Sequence, residues 1–268
     1  MSALQLFIFR ITLCSGSEIS RLFLSVSNRY KNLAYTLKTD CQLLITLHYS
    51  LIANNLYFSV TMLNKIRHGL ADHHPLKNTQ IEKRASVLIP LLESKGELFV
   101  LLTHRSKQLR SHAGQVSFPG GKQDTQDANS LETALRETHE EIGLPPENVE
   151  IIGTLDQILS LHYYLVTPFV GLIPEDFTPF LNTAEIESVF KVPLAFFMNG
   201  QNHWTEEFKT PIATVLAHHF DYQGFDIWGL TAKLILRLLE IGLGHIPDFQ
   251  VHHPDSPNWM ERALDYSG

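Results

Sequence analysis

Apolar segments rich in β-branched and aromatic residues recur along the chain between clusters of turn-forming residues. Five of them predict strands: residues 85–92, 98–105, 148–159, 164–173 and 218–229. The segment 218–229 is expected to contain a strand and the residues by which the chain leaves the sheet. Residues 190–198 predict a strand end that runs into a short helix. A strongly apolar stretch from Leu230 to Leu243 predicts a helix that Gly242 and Gly244 end. The chain is therefore expected to mix strands with helices.

A further helix is predicted from Ser130 to Ile142. Asn129 is suited to cap its amino end, and Glu132 lies three residues later in the register of a capping box. Gly143 is suited to end the helix, and the two prolines that follow prevent its continuation. Residues at helical spacing form one core-facing stripe: Leu131, Ala134, Leu135, Thr138 and Ile142.

The opposite face of this helix carries three acids, Glu137, Glu140 and Glu141, near its carboxyl end. Like charges one turn apart repel by about 0.2–0.5 kcal/mol per pair, and the helix dipole disfavours anions there by about 0.3–1 kcal/mol each. A bound divalent cation reverses the sign of both effects, and three carboxylates offer the hard oxygen ligands that suit Mg²⁺. The alternative is a solvated acidic face without a ligand.

Composition divides the chain near residue 61. Its 268 residues are 44% hydrophobic and 18% charged, which excludes a disordered or coiled-coil chain. Residues 1–61 carry a net charge of +3 and no proline, whereas residues 62–268 carry −10. The overall net charge of −7 argues against nucleic acid as a partner, and two cysteines exclude a disulfide-built scaffold.

Residues 1–61 are interpreted as an amino-terminal extension outside the fold, residues 62–245 as one domain, and residues 246–268 as an irregular tail. The stretch 43–63 has the length of a membrane span, but one His and two Asn residues within it are costly in a bilayer. A membrane partner is therefore not expected. We expect a cytoplasmic protein that keeps its fold and activity when the chain begins at Met62.

The segment that follows Gly121 resembles the Nudix box, whose core is Arg-Glu, a hydrophobic residue, any residue, Glu-Glu, any residue, Gly and a hydrophobic residue. Three positions depart from the general box. Gly121 lies one residue further from the core, Ala128 stands where the first Glu is expected, and Thr138 replaces an aliphatic residue. The remaining core positions match: Arg136, Glu137, Glu140, Glu141, Gly143 and Leu144.

The upstream segment 101–121 resembles the signature of the coenzyme A diphosphatase branch of the Nudix hydrolases. This branch also tends to lengthen the box by one residue, which accounts for the position of Gly121. Further similar blocks at 167–174, 184–194 and 227–235 extend the resemblance over roughly residues 84–240. Every fixed position of the signature is met: Leu101, Leu102, Thr103, Arg105, Ser106, Arg110, Gly114, Phe118, Pro119, Gly120 and Gly121.

The resemblance implies an α/β fold, the Nudix α/β/α sandwich, in which a mixed β-sheet lies between helices in a Nudix hydrolase domain at 62–245. It also implies hydrolysis of the diphosphate bond of coenzyme A, with acyl-CoA as a further substrate, to 3′,5′-ADP and 4′-phosphopantetheine. Mg²⁺ or Mn²⁺ is the implied cofactor. The expected partner is this small-molecule substrate, and the oligomeric state stays open, with a homodimer as one candidate.

Among the acids, the resemblance makes Glu137 and Glu141 metal ligands, with Glu140 completing the metal site and belonging to the catalytic set. Arg136, also in that set, is implied to brace the acids by pairing with a Glu. Glu185 matches an acid of the block after the central strands. It is the leading candidate for a general base or an additional ligand, and a surface acid is the alternative.

Arg105 and Arg110 are candidates for the substrate phosphates because guanidinium groups bind phosphate oxygens in a fork. Surface charges are the alternative. Gly114 is suited to a turn or to a close ligand, and Gly120 with Gly121 provides backbone that a metal and a phosphate can approach closely. These five residues form the expected substrate site.

Two features near this site leave more than one interpretation. Lys107 and Lys122 add positive charge there or are ordinary surface lysines. Residues 162–164, His-Tyr-Tyr, stand where the branch has a shorter loop containing Gly, which leaves the preference for acyl or pantetheine groups open.

Other functions remain as alternatives. One is a Nudix hydrolase that acts on another nucleoside diphosphate derivative, such as NADH or ADP-ribose. Another is a non-catalytic Nudix-fold sensor of nucleotides. Loss of the acids in the core of the box would indicate a sensor, and Glu137, Glu140 and Glu141 are all present here. A third is a hydrolase tethered to a membrane through residues 43–63.

Overall fold

The computed structural model describes residues 62–78, 80–209 and 214–245. The predictions for the extension 1–61 and for the tail 246–268 lie outside these residues, and so does nearly all of the membrane-length stretch. Every helix within the described ranges is too short or too polar to cross a bilayer.

Eight strands form one mixed sheet around the central strand β1. Parallel and antiparallel neighbours both flank β1, as the sequence resemblance implies. The strands are β1 (Arg84–Ser94), β2 (Glu97–Arg105), β3 (Val116–Ser117), β4 (Gly120–Lys122), β5 (Glu150–Thr154), β6 (Ile158–Leu159), β7 (Leu165–Leu172) and β8 (Ile186–Pro193).

Strand β1 organises the sheet because it pairs with three other strands. β7 runs parallel along one edge of β1, from Arg84 opposite Leu165 to Leu91 opposite Leu172. On the other edge, β2 pairs with the carboxyl end of β1 and β4 with its amino end. The short strand β4, which contains the Gly-Gly pair of the sequence motif, is thereby fixed against β1.

The turn between β1 and β2 is shorter than residues 93–97, the five-residue interval between the two strands that the sequence predicts. Only Lys95 and Gly96 connect the strands, and both have a positive φ, at 51° and 79°. This is the backbone pattern of a type I′ turn, whose twist matches that of the flanking strands. The flanking polar residues therefore continue the two strands.

Helices cover both faces of the sheet, which confirms an α/β/α sandwich. Within the described residues, the α-helices are α1 (62–72), α2 (Ser130–Ile142) and α3 (Gly229–Leu243). Leu88 and Leu92 of β1 pack with Ile142 of α2 in one hydrophobic cluster. Ile89 and Leu91 point to the other face because side chains alternate along a strand. They pack in a second cluster that contains Ile66 of α1 and Leu234 of α3.

A second, three-stranded sheet packs beside α3. Its strands are β9 (His203–Lys209), β10 (Thr214–Tyr222) and β11 (Phe225–Trp228). The segment 218–229, expected to be one strand and its exit, is instead the hairpin of β10 and β11 with Gln223-Gly224 at the turn. The segment 148–159 likewise contains two strands, β5 and β6, in place of one.

Gly242 lies inside α3, and only Gly244 ends this helix. The expectation that both glycines end it is therefore wrong. The physical reason is a close crossing of α1 and α3: a Cβ on Gly69 would overlap the carbonyl oxygen of Ile241, and a Cβ on Gly242 would lie 3.0 Å from Ile66. The two glycines let the helix backbones approach each other.

Replacing Gly69 by Ala is expected to lower the free energy of unfolding by about 1–3 kcal/mol, because the added methyl group forces the two helices apart. Denaturant unfolding measures this change. The exposed Lys65 on the same helix provides a control, and Lys65→Ala is expected to stay within about 0.5 kcal/mol of the natural protein. Equal stabilities for the two variants would contradict the packing of α1 on α3.

Candidate active site

Helix α2 has the bounds that its sequence predicts. The Asn129 side chain accepts hydrogen bonds from the backbone N–H groups of Leu131 and Glu132 at 2.9 and 3.0 Å. Glu132 accepts from the N–H of Ala128, one residue before the position expected for a capping box. At the other end, Gly143 has a left-handed backbone conformation with φ 72°, and its N–H donates to the carbonyl oxygen of His139. Both ends are thus fixed by local contacts.

The core-facing side of α2 is narrower than the predicted five-residue stripe. Ala134, Thr138 and Ile142 are fully buried, whereas Leu131 and Leu135 are only partly buried. The Thr138 hydroxyl donates to the carbonyl oxygen of Ala134 at 2.6 Å. This bond satisfies the polar atom and explains how a threonine occupies a position that is usually aliphatic in the box.

Glu141 is the most deeply buried acid of the site. Its side chain is only 2% exposed, so it does not belong to a solvated acidic face. The Gly120 N–H donates to one carboxylate oxygen, and Arg105 donates to the other, both at 3.1 Å. Burial raises the pKa of Glu141 to about 7 although Arg105 and Gly120 oppose the shift. A carboxylate held in this environment is stabilised by a cation.

Glu137 lies one turn earlier, against the strand β4. A Cβ on Gly121 would overlap the Glu137 carboxylate, so this contact requires glycine. Arg136 forms an ion pair with Glu137 at 2.9 Å. Burial raises the pKa of Glu137, and the nearby charges of Glu140 and Glu185 raise it further.

Glu185 lies at the start of β8, and the fold brings it to the acids of α2. The Asn182 N–H donates to the carbonyl oxygen of Glu141 at 3.0 Å, and the Glu185 N–H donates to the carbonyl oxygen of Asn182 at 2.9 Å. Glu185 therefore lies close to the carboxyl end of α2. The Asn182 side chain lies 3.4 Å from the Glu185 carboxylate. Glu140 is the most exposed member, with 55% of its side chain accessible and Arg136 at 3.2 Å. All four predicted acids are therefore neighbours.

The arrangement of these acids suits a divalent cation by its chemistry. Across residues 62–78, 80–209 and 214–245, no three His, Cys, Asp or Glu side chains converge on one point as a ready metal site. Guanidinium groups occupy carboxylate oxygens instead, Arg105 at Glu141 and Arg136 at Glu137. The donor set consists of carboxylate oxygens, which hard cations such as Mg²⁺ prefer, and it lies beside two glycines that leave the backbone accessible.

Arg136 makes its best contacts with a residue that the sequence motif did not indicate. Its Nε and Nη2 atoms donate to the two oxygens of Asp127 at 2.8 and 2.9 Å. The Asp127 side chain is 4% exposed, and the hydrogen bonds from Arg136 hold its pKa well below the usual range. Thr133 donates to the same carboxylate at 2.9 Å.

Asp127 thus supplies the carboxylate that the general box was expected to have at Ala128. The counting from Arg136 missed it because the box is one residue longer here. The spacing of the general box, counted forward from Gly121, does reach Asp127. The additional residue therefore lies between Asp127 and Arg136. Asp127 joins the site as the residue that fixes Arg136 beside Glu137 and Glu140.

The two candidate phosphate-binding arginines lie in different surroundings. A register shift in the β2–β8 pairing at His104/Arg105 directs Arg105 towards Glu141. Its Nε atom is buried and has no hydrogen-bond partner among the described residues. Arg110 is exposed in the loop after β2 and forms no ion pair with a described residue. In that loop, Gly114 has a φ of +67° and its carbonyl oxygen contacts His104 at 3.2 Å.

Fold and site together define a class: an α/β/α sandwich in which a capped helix presents carboxylates to a Gly-Gly strand. The family model of the NUDIX domain matches residues 82–208. Nudix hydrolase 15, mitochondrial, of Arabidopsis thaliana is 41% identical over 174 residues, covering 62% of this chain and 61% of the relative. Nudix hydrolase NudL of Escherichia coli K12 is 39% identical over 169 residues, covering 62% of this chain and 87% of the relative.

Among solved structures, a MutT/nudix family protein from Enterococcus faecalis matches with a TM-score of 0.41 and 14% identity, covering 88% of this chain and 78% of that one. The chain spans about three fifths of the length of the Arabidopsis relative. The identity and coverage of the Escherichia coli relative are sufficient to assign the family. The chain belongs to the Nudix hydrolases.

Proposed function

We propose that this chain hydrolyses the diphosphate bond of coenzyme A or an acyl-CoA, releasing 3′,5′-ADP and 4′-phosphopantetheine or its acyl form. The observation that carries the proposal is the buried Glu141 carboxylate, held between the Gly120 N–H and Arg105. Two of these three residues belong to the signature of the coenzyme A diphosphatase branch in segment 101–121. That segment therefore reaches the acids of the box directly.

Hydrolysis of a diphosphate requires that a water molecule attack one phosphorus while the bond to the bridging oxygen breaks. A divalent cation, Mg²⁺ or Mn²⁺, neutralises charge on the phosphate oxygens when it is bound. Glu137 and Glu141 would hold it, with Glu140 at the exposed side. Glu185 is the candidate general base, accepting the proton that the attacking water loses, because backbone hydrogen bonds through Asn182 hold it near Glu141 at the end of α2.

The arginines have separate tasks in this proposal. Arg136 is a positioning residue: Asp127 fixes it, and it in turn orients Glu137 and Glu140. Arg105 contacts the diphosphate, since its buried Nε has no partner within the described chain and a phosphate oxygen supplies one. Arg110 is exposed on the neighbouring loop and adds a second guanidinium for the phosphates.

The reaction is tested with purified full-length protein, coenzyme A and Mg²⁺ or Mn²⁺. Chromatography with mass detection is expected to show 3′,5′-ADP and 4′-phosphopantetheine in equal amounts, and a chelator is expected to stop their formation. ADP-ribose and NADH serve as comparison substrates. A far higher kcat/KM for either of them would place the chain on another branch of the family, and nucleotide binding without any hydrolysis would indicate a sensor.

The proposal extends to the location and the assembly of the protein. We place the protein in the cytoplasm, as a monomer or a homodimer, with residues 1–61 outside the catalytic domain. The Arabidopsis relative is named as mitochondrial, so cell fractionation of the full-length protein must compare both compartments and the membrane fraction. Light scattering measures the oligomeric state.

A further inference from the structure

Two lysines from different parts of the chain approach the same aromatic ring. The Nζ atom of Lys83 lies 5.8 Å from the centre of the Tyr164 ring, and the Nζ atom of Lys122 lies 5.3 Å from it. Lys83 immediately precedes β1, Lys122 ends β4, and Tyr164 immediately precedes β7. The parallel pairing of β1 with β7 and the antiparallel pairing of β1 with β4 bring the three residues together.

No acid of the described residues neutralises the two ammonium groups. Neither lysine forms an ion pair with any acid in the residues that the structure describes, although residues 62–268 carry a net charge of −10. Two unpaired cations near one ring repel each other, and the electron-rich face of the ring compensates only in part. An anion that contacts both ammonium groups would offset this repulsion. The Lys83–Lys122–Tyr164 corner therefore has the charge of an anion site.

This corner borders the acidic site but is separate from it. Gly121 faces the Glu137 carboxylate, and side chains alternate along a strand, so the next residue, Lys122, points away from the acids. Burial lowers the pKa of the half-buried His112, and the charges of His162, Arg105 and Lys122 lower it further. Because Lys122 directly follows Gly121 in β4, a molecule whose diphosphate lies at Glu137 and Glu141 can present a second group to the lysines.

Two hydrogen bonds within the loop before β7 fix the backbone of Tyr164. The Tyr164 N–H donates to the Ser160 hydroxyl at 3.0 Å, and its carbonyl oxygen accepts from the Ser160 N–H at 2.8 Å. His162 of the same loop packs edge-on against His112 at 4.9 Å between ring centres. The loop therefore joins the corner to the segment that carries the branch signature.

We propose that Lys83, Lys122 and Tyr164 form a subsite for a phosphate monoester on the ribose of the substrate, separate from the diphosphate that is cleaved. In coenzyme A this group is the 3′-phosphate. The inference rests on the proposed function and deepens it by assigning recognition of the substrate to residues that are fixed positions neither of the box nor of the upstream signature.

The kinetic test compares coenzyme A with dephospho-coenzyme A, which lacks the 3′-phosphate. Lys83→Gln and Lys122→Gln are each expected to raise KM for coenzyme A about tenfold, the size of one charge-assisted contact. KM for dephospho-coenzyme A and kcat for both substrates are expected to stay unchanged. Lys95→Gln, at the opposite end of β1, is the matched control because it removes the same charge far from the corner.

The other kinetic outcomes overturn the proposal. An equal rise of KM on both substrates would assign the lysines to the diphosphate. Unchanged KM on both would return them to ordinary surface charges. Thermal midpoints of all three variants are measured alongside, so that a loss of folding is not mistaken for a loss of binding.

A binding test separates this inference from the proposed reaction. Calorimetry with the Mg²⁺-loaded full-length protein compares 3′,5′-ADP with 5′-AMP, which differ only in the 3′-phosphate. Tighter binding of 3′,5′-ADP that disappears in the Lys83→Gln/Lys122→Gln double variant supports the subsite even if coenzyme A is not hydrolysed. Equal binding of the two nucleotides by the natural protein overturns the subsite even if coenzyme A is hydrolysed.

Discussion

Glu141→Gln is expected to lower kcat by about 100-fold or more, which corresponds to about 3 kcal/mol of lost transition-state stabilisation. The amide cannot supply the negative charge that a divalent cation requires, while the hydrogen bond from Gly120 can persist on the amide oxygen. Glu137→Gln is expected to have an effect of the same size. Steady-state assays with saturating Mg²⁺ and coenzyme A measure both.

Glu147→Gln is the control for this pair, because Glu147 is an exposed acid just beyond α2. Its kcat is expected to match that of the natural protein. Turnover close to the natural rate in Glu137→Gln or Glu141→Gln would remove the corresponding residue from the metal site.

The same substitution at Glu141 has a pH-dependent effect on stability without metal. The folded protein keeps the Glu141 proton up to a pKa of about 7, whereas an unfolded chain releases it near 4.5. The folded state therefore binds more protons in this window, and its stability falls by about 3 kcal/mol as the pH rises through it. In the presence of a chelator, Glu141→Gln is expected to lack this decline. Its free energy of unfolding relative to that of the natural protein should therefore rise from pH 4.5 to pH 7.

Asp127→Asn is expected to lower the free energy of unfolding at pH 7 by about 2 kcal/mol, because it breaks a buried, two-point contact with Arg136. This loss of stability is smaller than is usual for a buried ion pair because the Arg136 side chain is 32% exposed. Denaturant unfolding measures the loss. Asp124→Asn, at an exposed acid of the same loop, is the comparison.

The contribution of Asp127 also has a defined pH dependence. Its folded pKa is lowered, so the stabilisation is complete above the ordinary Asp value of about 3.9 and is lost as the pH falls below it. The difference between Asp127→Asn and the natural protein should therefore shrink in acid. A constant difference from pH 7 down to pH 2 would show that the charge of Asp127 is not what stabilises the loop.

The parts of this molecule that the sequence predicts well are those set by neighbouring residues. The bounds of α2 follow from Asn129 and Gly143, whose contacts reach no further than four residues along the chain. The strands β1 and β2 follow from their apolar runs. In such cases the physical cause of the structure is contained in the segment itself.

The parts that the sequence does not predict depend on distant segments. Glu141 of α2 is enclosed by Arg105 of β2 and Gly120 of β4, which lie far from it along the chain. The position of Gly242 inside α3 is explained only by α1, at the other end of the described chain. Asp127 was missed for a different reason: a one-residue insertion moved it out of the register counted from Arg136.

The pairing of β1 has a consequence for the order in which the protein folds. β1 and β2 are joined by a two-residue turn, so this hairpin closes early at small entropic cost. The parallel contact between β1 and β7 must wait for the whole intervening chain, α2 included. Glu185 lies beyond β7 in the chain and therefore joins the other acids later still. A newly synthesised chain is therefore expected to acquire its hairpin long before its four acids meet, and catalytic competence should be among the last properties to develop during refolding.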